Sequence, residues 1–445
     1  MKHEITVSIA PEADPKKESA RLSLHYAGQS ENVTLDLDGN ALLRISRTVP
    51  DLAQDFLCIA SCIYAADKAL PRDAEEDKWT RHLAIEIPVE HVNTWTSVAD
   101  GLSDCIAFLT GDRWEFSFRH NEKRVIQKRT RKRSSLFRRA RGSAVCLFSG
   151  GLDSFIGAVD WMTANPEENL LLVGHYDGDV GGPCKDQTDL AQAMQQRFGN
   201  RFLLSQTRVG LSSGSSDTNF RSRSLLFIAL GCYFAELLGE EVPVLIPENG
   251  PIALNFPLTP ARRGSCSTRT VHPFFIGELN RILRRVGMTN PISNPYAFKT
   301  KGEMVAECLD QVFLAGTCEL TRSCAKLGHR RSWTNRRARA CGACIPCLFR
   351  RASLHPAGLD REVYGKPVEA MTSLDSTPSD VLALLSFLRT RYSDRQIAAG
   401  LFAQGSLPLD QLSDYVDMVK RMRAEVLVWL RAKGSRFIQN EVHAC

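Results

Sequence analysis

Short apolar runs alternate with longer helix-like stretches between residues 143 and 354. The apolar runs are AVCLF, LLLVGHY, RFLLSQT and VPVLIP, and the stretches between them include SFIGAVDWMTA, LAQAMQQRF and SLLFIALGCYFAELLG. Continuous apolar strands separated by helices predict an α/β fold, with a parallel, doubly wound sheet covered on both faces. In such sheets, ligands bind beyond the carboxyl ends of the strands.

The regions on either side of this alternation have different patterns. Residues 1–122 alternate apolar and polar positions at LSLHYA, VTLDL, LAIEIPV and WEFSFRH, with helical stretches near 51–66 and 96–109. This pattern predicts a small N-terminal α+β domain. We interpret residues 123–142 as a basic linker and residues 355–445 as a C-terminal helical region. The segment between them, 143–354, is the predicted central domain.

Composition narrows the class of protein. The chain has 445 residues, of which 43% are hydrophobic and 24% charged, as in ordinary globular proteins. No apolar run approaches the ~18–20 residues that span a bilayer, and the N-terminus lacks the apolar segment of a signal peptide. We therefore expect a cytoplasmic protein without a membrane partner. In that compartment its fourteen cysteines favour reduced thiols and metal ligation over disulfides.

The net charge of +6 is concentrated in two basic runs. One extends from Lys123 to Arg141 and the other, RRSWTNRRAR, from Arg330 to Arg339. Either run is suited to contact nucleic acid or another polyanion. The alternative is a solvated linker and a solvated loop, and charge alone does not decide between them.

A glycine turn follows the first apolar strand of the central region. AVCLF runs into Ser149-Gly150-Gly151-Leu152-Asp153-Ser154 and then into a helical stretch. Backbone N–H groups of such a turn converge at the positive end of the helix dipole, where they stabilise a phosphate group. The serines add hydroxyl donors, and Asp153 is suited to help hold Mg²⁺ or to cap the helix. The alternative is a capped glycine turn without a ligand.

SGGLDS resembles the pyrophosphate loop (PP-loop) of the ATP pyrophosphatase superfamily, and it lacks the Gly-Lys-Ser/Thr ending of a Walker loop. The resemblance implies an adenine nucleotide alpha hydrolase-like fold that binds ATP with Mg²⁺ through residues 149–154 and releases pyrophosphate. It also implies that adenine lies near Gly174, His175 and Tyr176. The basic groups available to neutralise phosphate charge are Arg221, Arg223 and Lys301. The candidate catalytic residues are Ser149, Asp153, Ser154, Arg223 and Lys301.

Three cysteines recur at a spacing of three residues in Cys341-Gly342-Ala343-Cys344-Ile345-Pro346-Cys347. Their thiolates can converge on one metal ion, with Gly342 relieving the turn. Tetrahedral Zn²⁺ needs a fourth ligand. Cys324 is the best candidate, and Cys318 and His329 are weaker ones. We expect a structural zinc knuckle; the alternative is a set of free cysteines or a redox pair.

The two motifs together resemble the QueC family, the 7-cyano-7-deazaguanine synthases. Shared features are the SGG-x-DS loop, a late Ser-Cys followed by CG-x-C-x-x-C-x-x-R, and a Lys-x-Glu segment at Lys301 and Glu303. The resemblance covers roughly residues 143–354. It implies a substrate like 7-carboxy-7-deazaguanine, whose carboxylate is adenylated by ATP and then attacked by an amine.

The chain departs from the compact biosynthetic enzyme in its first 140 residues, its longer Cys324–Cys341 gap, its C-terminal helices and its segment 247–273. That segment resembles the QueC-like proteins of bacterial anti-phage operons, such as the QatC proteins of Qat systems. This resemblance implies a protein partner from the same operon, held by the N-terminal domain and supplying the amine. Polar side chains of the segment suited to bind a deazaguanine or its carboxylate are Glu248, Asn249, Arg269 and His272.

Two other functions remain open from the sequence. One is a related ATP-dependent enzyme, either a housekeeping 7-cyano-7-deazaguanine synthase or a PP-loop protein that adenylates a tRNA base. The other is a zinc-stabilised module for nucleic-acid binding or complex assembly, which retains the loop without catalysis.

Overall fold

The computed structural model describes residues 2–11, 19–26, 32–45, 49–121, 125–126, 143–178, 182–213, 217, 220–262 and 269–443. The predicted basic linker, 123–142, therefore lies outside the described residues apart from Val125 and Ile126. The same is true of residues 263–268 in the predicted substrate segment. The chain forms two compact units, of which the first comprises 1–149, 165–246 and 269–293, and the second comprises 150–164, 247–268 and 294–445.

A ten-stranded sheet runs through the first unit. Its strands are β1 Lys2–Pro11, β2 Ser19–Tyr26, β3 Val33–Asp38, β4 His82–Val89, β5 Arg113–His120, β6 Ala144–Leu147, β7 Leu170–Tyr176, β8 Phe202–Ser213, β9 Val244–Leu245 and β10 Ile292–Ser293. The spatial order is β10-β9-β6-β7-β8-β3-β2-β1-β4-β5. Six of the neighbouring pairs are parallel, and the other three are antiparallel.

The five strands β10-β9-β6-β7-β8 are all parallel, as the apolar runs predicted. Every residue of β6 and the first six of β7 are buried, which fits strands covered on both faces. From β6 the chain moves to β7 and β8 on one side, and it returns to β9 and β10 on the other side. The strand order thus reverses at β6, and ligands of α/β sheets bind at the carboxyl end of such a reversal. The Ser149 loop leaves β6 at that end.

The N-terminal strands extend this sheet, because β3 pairs antiparallel with β8. Leu37 lies opposite Val209, and Leu35 lies opposite Leu211. The two β3 leucines, Leu35 and Leu37, are fully buried. The sequence prediction treated 1–122 and 143–354 as separate domains, whereas their strands lie in one sheet of one compact unit. The pairing satisfies backbone groups that an isolated edge strand would leave open. Alternation within β3 predicts the strand but cannot identify its partner.

The described helices, in chain order, are α1 Gly39–Ile45, α2 Asp51–Ala69, α3 Val92–Thr96, α4 Ala99–Thr110, α5 Leu152–Ala164, α6 Pro183–Phe198, α7 Arg223–Leu238, α8 Gly250–Leu254, α9 Pro273–Arg285, α10 Lys301–Ala306, α11 Gln311–Thr317, α12 Ile345–Leu354, α13 Ser379–Arg389, α14 Asp394–Phe402, α15 Leu412–Lys433 and α16 Arg436–His443. None of them combines the length and the apolar character needed to cross a membrane.

Two packing features of the helices bear on the site. In the first unit, the buried carboxylate of Asp67 in α2 accepts from the backbone N–H groups of Arg221 (2.6 Å) and Ser222 (2.8 Å). It thereby fixes the two residues that precede α7, the helix that begins at Arg223. In the second unit, Trp429 of α15 and Leu348 of α12 are fully buried in an apolar core that α13 and α16 also enter. The predicted C-terminal helices therefore pack on the helix that contains Cys347, the last cysteine of the motif.

Candidate functional site

The loop after β6 adopts the backbone geometry that its glycines allow. Gly150 has φ +84°, a left-handed conformation that favours glycine, and its carbonyl accepts from the Arg322 N–H at 2.9 Å. Helix α5 then begins at Leu152. The Gly151 carbonyl accepts from the Phe155 N–H and from the Ser154 hydroxyl, each at 3.1 Å. The Ser154 hydroxyl therefore donates within the first turn, while Ser149 is exposed.

The carboxylate of Asp153 joins three stretches of the second unit that are far apart in sequence. One oxygen forms an ion pair with the ammonium group of Lys301, and the other accepts from the Asn249 side-chain amide at 2.7 Å. All three residues are buried, with exposed fractions of 9%, 5% and 0% for Asp153, Lys301 and Asn249. Three predicted site residues thus meet at the first turn of α5. Each carboxylate oxygen thus accepts from one of these side chains, and the carboxylate orients both Lys301 and Asn249.

Glu248 lies beside this group and carries an unusual carboxyl. Burial, and then the negative charge of Asp153, raise the pKa of Glu248 to about 8, although Lys301 opposes the shift. Its backbone is held by Asn294, whose side-chain amide donates to the Glu248 carbonyl at 2.8 Å and whose oxygen accepts from the Glu248 N–H at 3.2 Å. At neutral pH the carboxyl is mostly protonated, so it can both donate and accept a hydrogen bond.

The start of α10 fixes the position of Lys301. Thr300 and Glu303 form a capping box, in which the Thr300 hydroxyl accepts from the Glu303 N–H and the Glu303 carboxylate accepts from the Thr300 N–H. The Glu425 carboxylate of α15 accepts from the Thr300 hydroxyl, and it accepts from the Gly302 N–H at 3.3 Å. Glu303, predicted from the Lys-x-Glu segment, therefore caps the helix that carries Lys301.

Four cysteines lie close enough to hold a metal ion, as predicted: Cys324, Cys341, Cys344 and Cys347. Their sulfur atoms all lie within 4.8 Å of one another, and Cys341 Sγ is 3.8 Å from Cys347 Sγ. A tetrahedral site with metal–sulfur distances of about 2.3 Å requires sulfur atoms about 3.8 Å apart. Gly342 has φ +78°, which supports the predicted tight turn. Among the described residues, the cluster includes neither Cys318 nor His329, the two weaker candidates for the fourth ligand.

Hydrogen bonds within the cluster lower the pKa of Cys324 and Cys341 and raise the pKa of Cys344 and Cys347, so the surroundings favour ionised sulfur at two of the four positions. Backbone N–H groups of Lys326 and Cys341 donate to Cys324 Sγ, each at 3.4 Å, and that of Cys344 donates to Cys341 Sγ at 3.3 Å. The hydrogen bond with Cys341 raises the pKa of Cys324, but those with Cys344 and Cys347 outweigh it and lower that pKa to about 7. Thiolates are the form that binds a metal ion, so the four sulfurs suit a cation that neutralises their charge.

Helix α12, which begins one residue after Cys344, connects this cluster to the loop after β6. Arg350 is buried and donates to the Thr321 hydroxyl at 2.5 Å and to the Cys318 carbonyl at 2.9 Å. Its charge is balanced by Glu362 at 2.5 Å. The next residue after Thr321 is Arg322, whose N–H reaches the Gly150 carbonyl. The cysteine cluster thus supports the segment that fixes the loop, all within the second unit.

Two other predicted site residues, His175 and Arg223, meet in the first unit. His175 is the second-last residue of β7 and is 1% exposed. Its Nε2 donates to the Val209 carbonyl at 3.0 Å, and its Nδ1 accepts from Arg223 Nε at 3.4 Å. Burial, and then the Arg223 charge, lower the pKa of His175 to about 3, so the ring is neutral. Both ring nitrogens are occupied, whereas the neighbouring Tyr176 is partly exposed.

The predicted substrate residues divide between the two units. Glu248 and Asn249 belong to the second, and Arg269 and His272 belong to the first. Arg269 lies over the Phe108 ring, 4.7 Å from its centroid, and donates to the Phe108 carbonyl at 2.9 Å. His272 is buried and caps α9 by accepting from the Phe274 N–H at 3.2 Å. Arg269 and His272 therefore have structural contacts of their own, and their predicted role in binding substrate stays a prediction.

Sequence reasoning missed residues that support this site from a distance. The Thr300-Lys-Gly-Glu303 capping box carries a readable signature, because a threonine precedes a glutamate by three positions. Glu425 and Asn294 have no such signal. Each acts through contacts between segments that are distant in the chain, which a sequence pattern does not encode.

Comparison of this chain with protein-family models, with curated proteins and with solved structures finds no match. The resemblance to PP-loop and QueC-like proteins therefore rests on the sequence motifs, and what it implies about activity is a proposal.

We expect the Asp153–Lys301 pair to be strongly coupled in stability. Lys301→Met leaves the buried carboxylate without its counter-charge, so it should lower the free energy of unfolding by about 3–5 kcal/mol. Asp153→Asn should also destabilise, and the double variant should lose less than the sum of the two. Denaturant unfolding gives the free energy of unfolding of the wild type, the two single variants and the double variant, which together form a double-mutant cycle. The exposed pair Lys420–Asp394 provides the control, and its coupling should be much weaker because solvent screens both charges. Additive losses at Asp153 and Lys301 would contradict the pairing.

We expect stability to depend on pH through Glu248. The native carboxyl keeps its proton up to about pH 8, whereas an unfolded glutamate releases it near its ordinary value of 4.5. Folded protein thus binds more protons in this range, and stability falls as pH rises, by at most about 1.4 kcal/mol per pH unit. Glu248→Gln should remove this fall, and its advantage over wild type should grow between about pH 5 and pH 8. Glu319→Gln, at an exposed position, should show no such trend.

We expect one metal ion per chain at the cysteine cluster. Cys344→Ser removes one sulfur ligand, so the metal content measured by mass spectrometry of the purified protein should fall severalfold. A chelator should lower the melting temperature of wild type but not that of the variant, because the variant has little metal left to lose. Cys184→Ser, outside the cluster, should keep both the metal and the response to chelator. Equal metal content in wild type and Cys344→Ser would refute the site.

Proposed function

We propose that this chain uses ATP to adenylate the carboxylate of a 7-deazaguanine and then joins that carboxylate to an amine. The observation that carries the proposal is the group formed by Asp153, Lys301 and Asn249 at the first turn of α5. It directly follows a glycine loop at the carboxyl end of β6, where the strand order reverses. A nucleotide phosphate fits this location by general rules of α/β sheets. The deazaguanine is proposed from the QueC-like motifs.

The reaction balances in two steps. A carboxylate oxygen attacks the α-phosphorus of ATP, the bond to the β-phosphate oxygen breaks, and pyrophosphate leaves. The amine nitrogen then attacks the acyl carbon, the acyl–oxygen bond to AMP breaks, and the nitrogen loses one proton to solvent or a base. Negative charge gathers on phosphate oxygens in both steps, so fixed positive groups accelerate them.

Within the second unit, Lys301 is the buried cation next to the loop. Asp153 holds its ammonium group in one orientation, and the capping box at Thr300 fixes the backbone that carries it. We propose that Lys301 bonds a phosphate oxygen of ATP, with N–H groups of the loop contacting the remaining oxygens. Mg²⁺ would arrive with ATP, and the lone pairs that remain on the Asp153 oxygens would be available to help hold it. The ion would neutralise phosphate charge in the usual way.

We propose that Glu248 recognises the deazaguanine by hydrogen bonds to the edge of its base. A guanine-like edge presents N–H donors beside a carbonyl acceptor. A protonated carboxyl presents the complementary pair, an O–H donor and a C=O acceptor. The raised pKa of Glu248, about 8, keeps it in that form at neutral pH.

We assign the metal of the cysteine cluster as structural Zn²⁺, because four sulfur ligands select zinc among the common divalent ions and leave no open coordination position. Its proposed role is to hold α12 and, through Arg350, the segment that contacts Gly150. The proposed biological setting is anti-phage defence with a partner protein that supplies the amine. This part of the proposal rests on the resemblance of segment 247–273 to the QueC-like proteins of bacterial anti-phage operons.

The test is incubation of the full-length protein with ATP, Mg²⁺ and 7-carboxy-7-deazaguanine, with and without an amine donor. We expect AMP and pyrophosphate, together with an amide of the deazaguanine detected by mass spectrometry. Ser149→Ala removes an exposed loop hydroxyl and should lower the rate of AMP formation about 10²-fold. Ser143→Ala, also exposed but before β6, is the matched control. AMP formation with tRNA alone would favour the base-modifying alternative, and no AMP with any acid would refute the proposal.

A further inference from the structure

The segment between Cys324 and Cys341 carries an unbalanced positive charge. Residues 325–340 contain no aspartate or glutamate. Its six basic residues are Lys326, Arg330, Arg331, Arg336, Arg337 and Arg339. Its two ends are joined at the cysteine cluster, because the sulfurs that precede and follow it lie within 4.8 Å of each other. We call residues 325–340 the basic loop.

The basic loop has a fixed conformation. Trp333, at its centre, is 4% exposed and packs in a small core with Tyr364 and the cluster cysteines. The next two backbone N–H groups, of Thr334 and Asn335, both donate to the Gly365 carbonyl, at 2.9 and 3.2 Å. This anchor holds the midpoint of the loop, so the arginines on either side of it project from a rigid base.

Two of the six cations have partners inside the protein. Lys326 forms an ion pair with Asp380 at 2.9 Å. Arg339 donates to the carbonyls of Glu319 and Leu320, at 2.9 and 3.4 Å, and so ties the loop to the chain before Cys324. These contacts stabilise the loop. The other four basic residues, Arg330, Arg331, Arg336 and Arg337, carry the positive charge on its outer surface.

Those four arginines are exposed, and none of them forms an ion pair within the described part of the chain. They form two adjacent pairs, Arg330–Arg331 and Arg336–Arg337, on the two sides of the Gly365 anchor. Arg330 also lies over the Trp333 ring, 5.7 Å from its centroid, which limits its freedom. Four uncompensated guanidinium groups on a rigid loop repel one another, and an anionic partner would relieve that repulsion.

We propose that the basic loop binds the phosphate backbone of a double-stranded nucleic acid. The Cα atoms of Arg331 and Arg336 are five residues apart and so at most about 18 Å apart. A duplex presents one phosphate charge per about 1.7 Å, so arginines within that limit can contact neighbouring phosphates of one duplex. The loop's one tryptophan, Trp333, is buried, and it has no tyrosine or phenylalanine, so His329 is its one exposed aromatic ring and stacking by the bases of a single strand would contribute little. Binding should therefore be independent of sequence and of the ATP chemistry.

The test measures binding of full-length protein to a duplex of about 24 base pairs by fluorescence anisotropy, at several salt concentrations between about 50 and 200 mM. One arm uses DNA and another uses RNA, which identifies the duplex that the loop prefers. The variants are R330Q/R331Q and R336Q/R337Q. R431Q/K433Q, in the exposed last turn of α15, is the matched control because it removes the same net charge from the same unit.

Four phosphate contacts on DNA give a slope of log K against log salt of about −3.6, and each loop pair accounts for about −1.8 of it. We expect each loop variant to bind severalfold to 10²-fold more weakly and to lose about two units of slope. The control should keep the wild-type slope, and R330K/R331K should retain most of the binding. Loop variants that match the control in affinity and slope would overturn the proposal. So would equally tight binding of a single strand, or no binding at low salt. All variants should keep their metal content.

Discussion

The buried carboxylate of Asp153 is the constraint on which the second unit depends. A charge removed from water is tolerated only when charged or polar partners surround it. Lys301 and Asn249 supply those partners, and each comes from a different stretch of the chain. The requirement therefore fixes three segments at once: the start of α5, the turn before α8 and the start of α10. A change in any one of them moves the other two, which explains why the groups next to the loop form a single cluster.

The cysteine cluster acts on the same loop by a different route. A metal ion holding four sulfurs would fix the start of α12, and Arg350 on that helix orders residues 318–321 by hydrogen bonds. Arg322 then engages the Gly150 carbonyl. Each step is a short-range contact, so rigidity at the cysteines reaches the loop without any element having to move. This accounts for the pairing of two motifs that lie almost two hundred residues apart, and it gives the cluster a structural role compatible with four sulfur ligands.

Much of this arrangement could be predicted from sequence, and the failures have physical reasons. The parallel strands and α5 were predicted because buried strands and helices differ in apolar pattern and length. Three cysteines were identified because a knuckle demands close spacing, Cys324 was the best candidate for the fourth ligand, and the proximity of all four is confirmed. The Asp153–Lys301 pair was not predicted as a pair, although each member was a candidate. The pairing of β3 with β8 was also missed, since it joins residues about 170 positions apart. Local patterns specify elements, whereas such partners are chosen by packing.

Charge balance distinguishes the two anion-binding regions proposed for the second unit. Next to the loop that follows β6, Asp153 and Lys301 neutralise each other, and the raised pKa of Glu248 keeps that carboxyl mostly uncharged at neutral pH. Such a site has little net charge of its own, so the proposed phosphate would be selected by geometry: oriented N–H groups and one oriented ammonium. The basic loop has the opposite design, with four exposed arginines and no acid among its sixteen residues. It would attract any dense array of phosphates at a distance. Binding of a small nucleotide depends on the fixed geometry of a few donors, whereas binding of a polyanion depends on total positive charge. The two regions therefore suit different ligands.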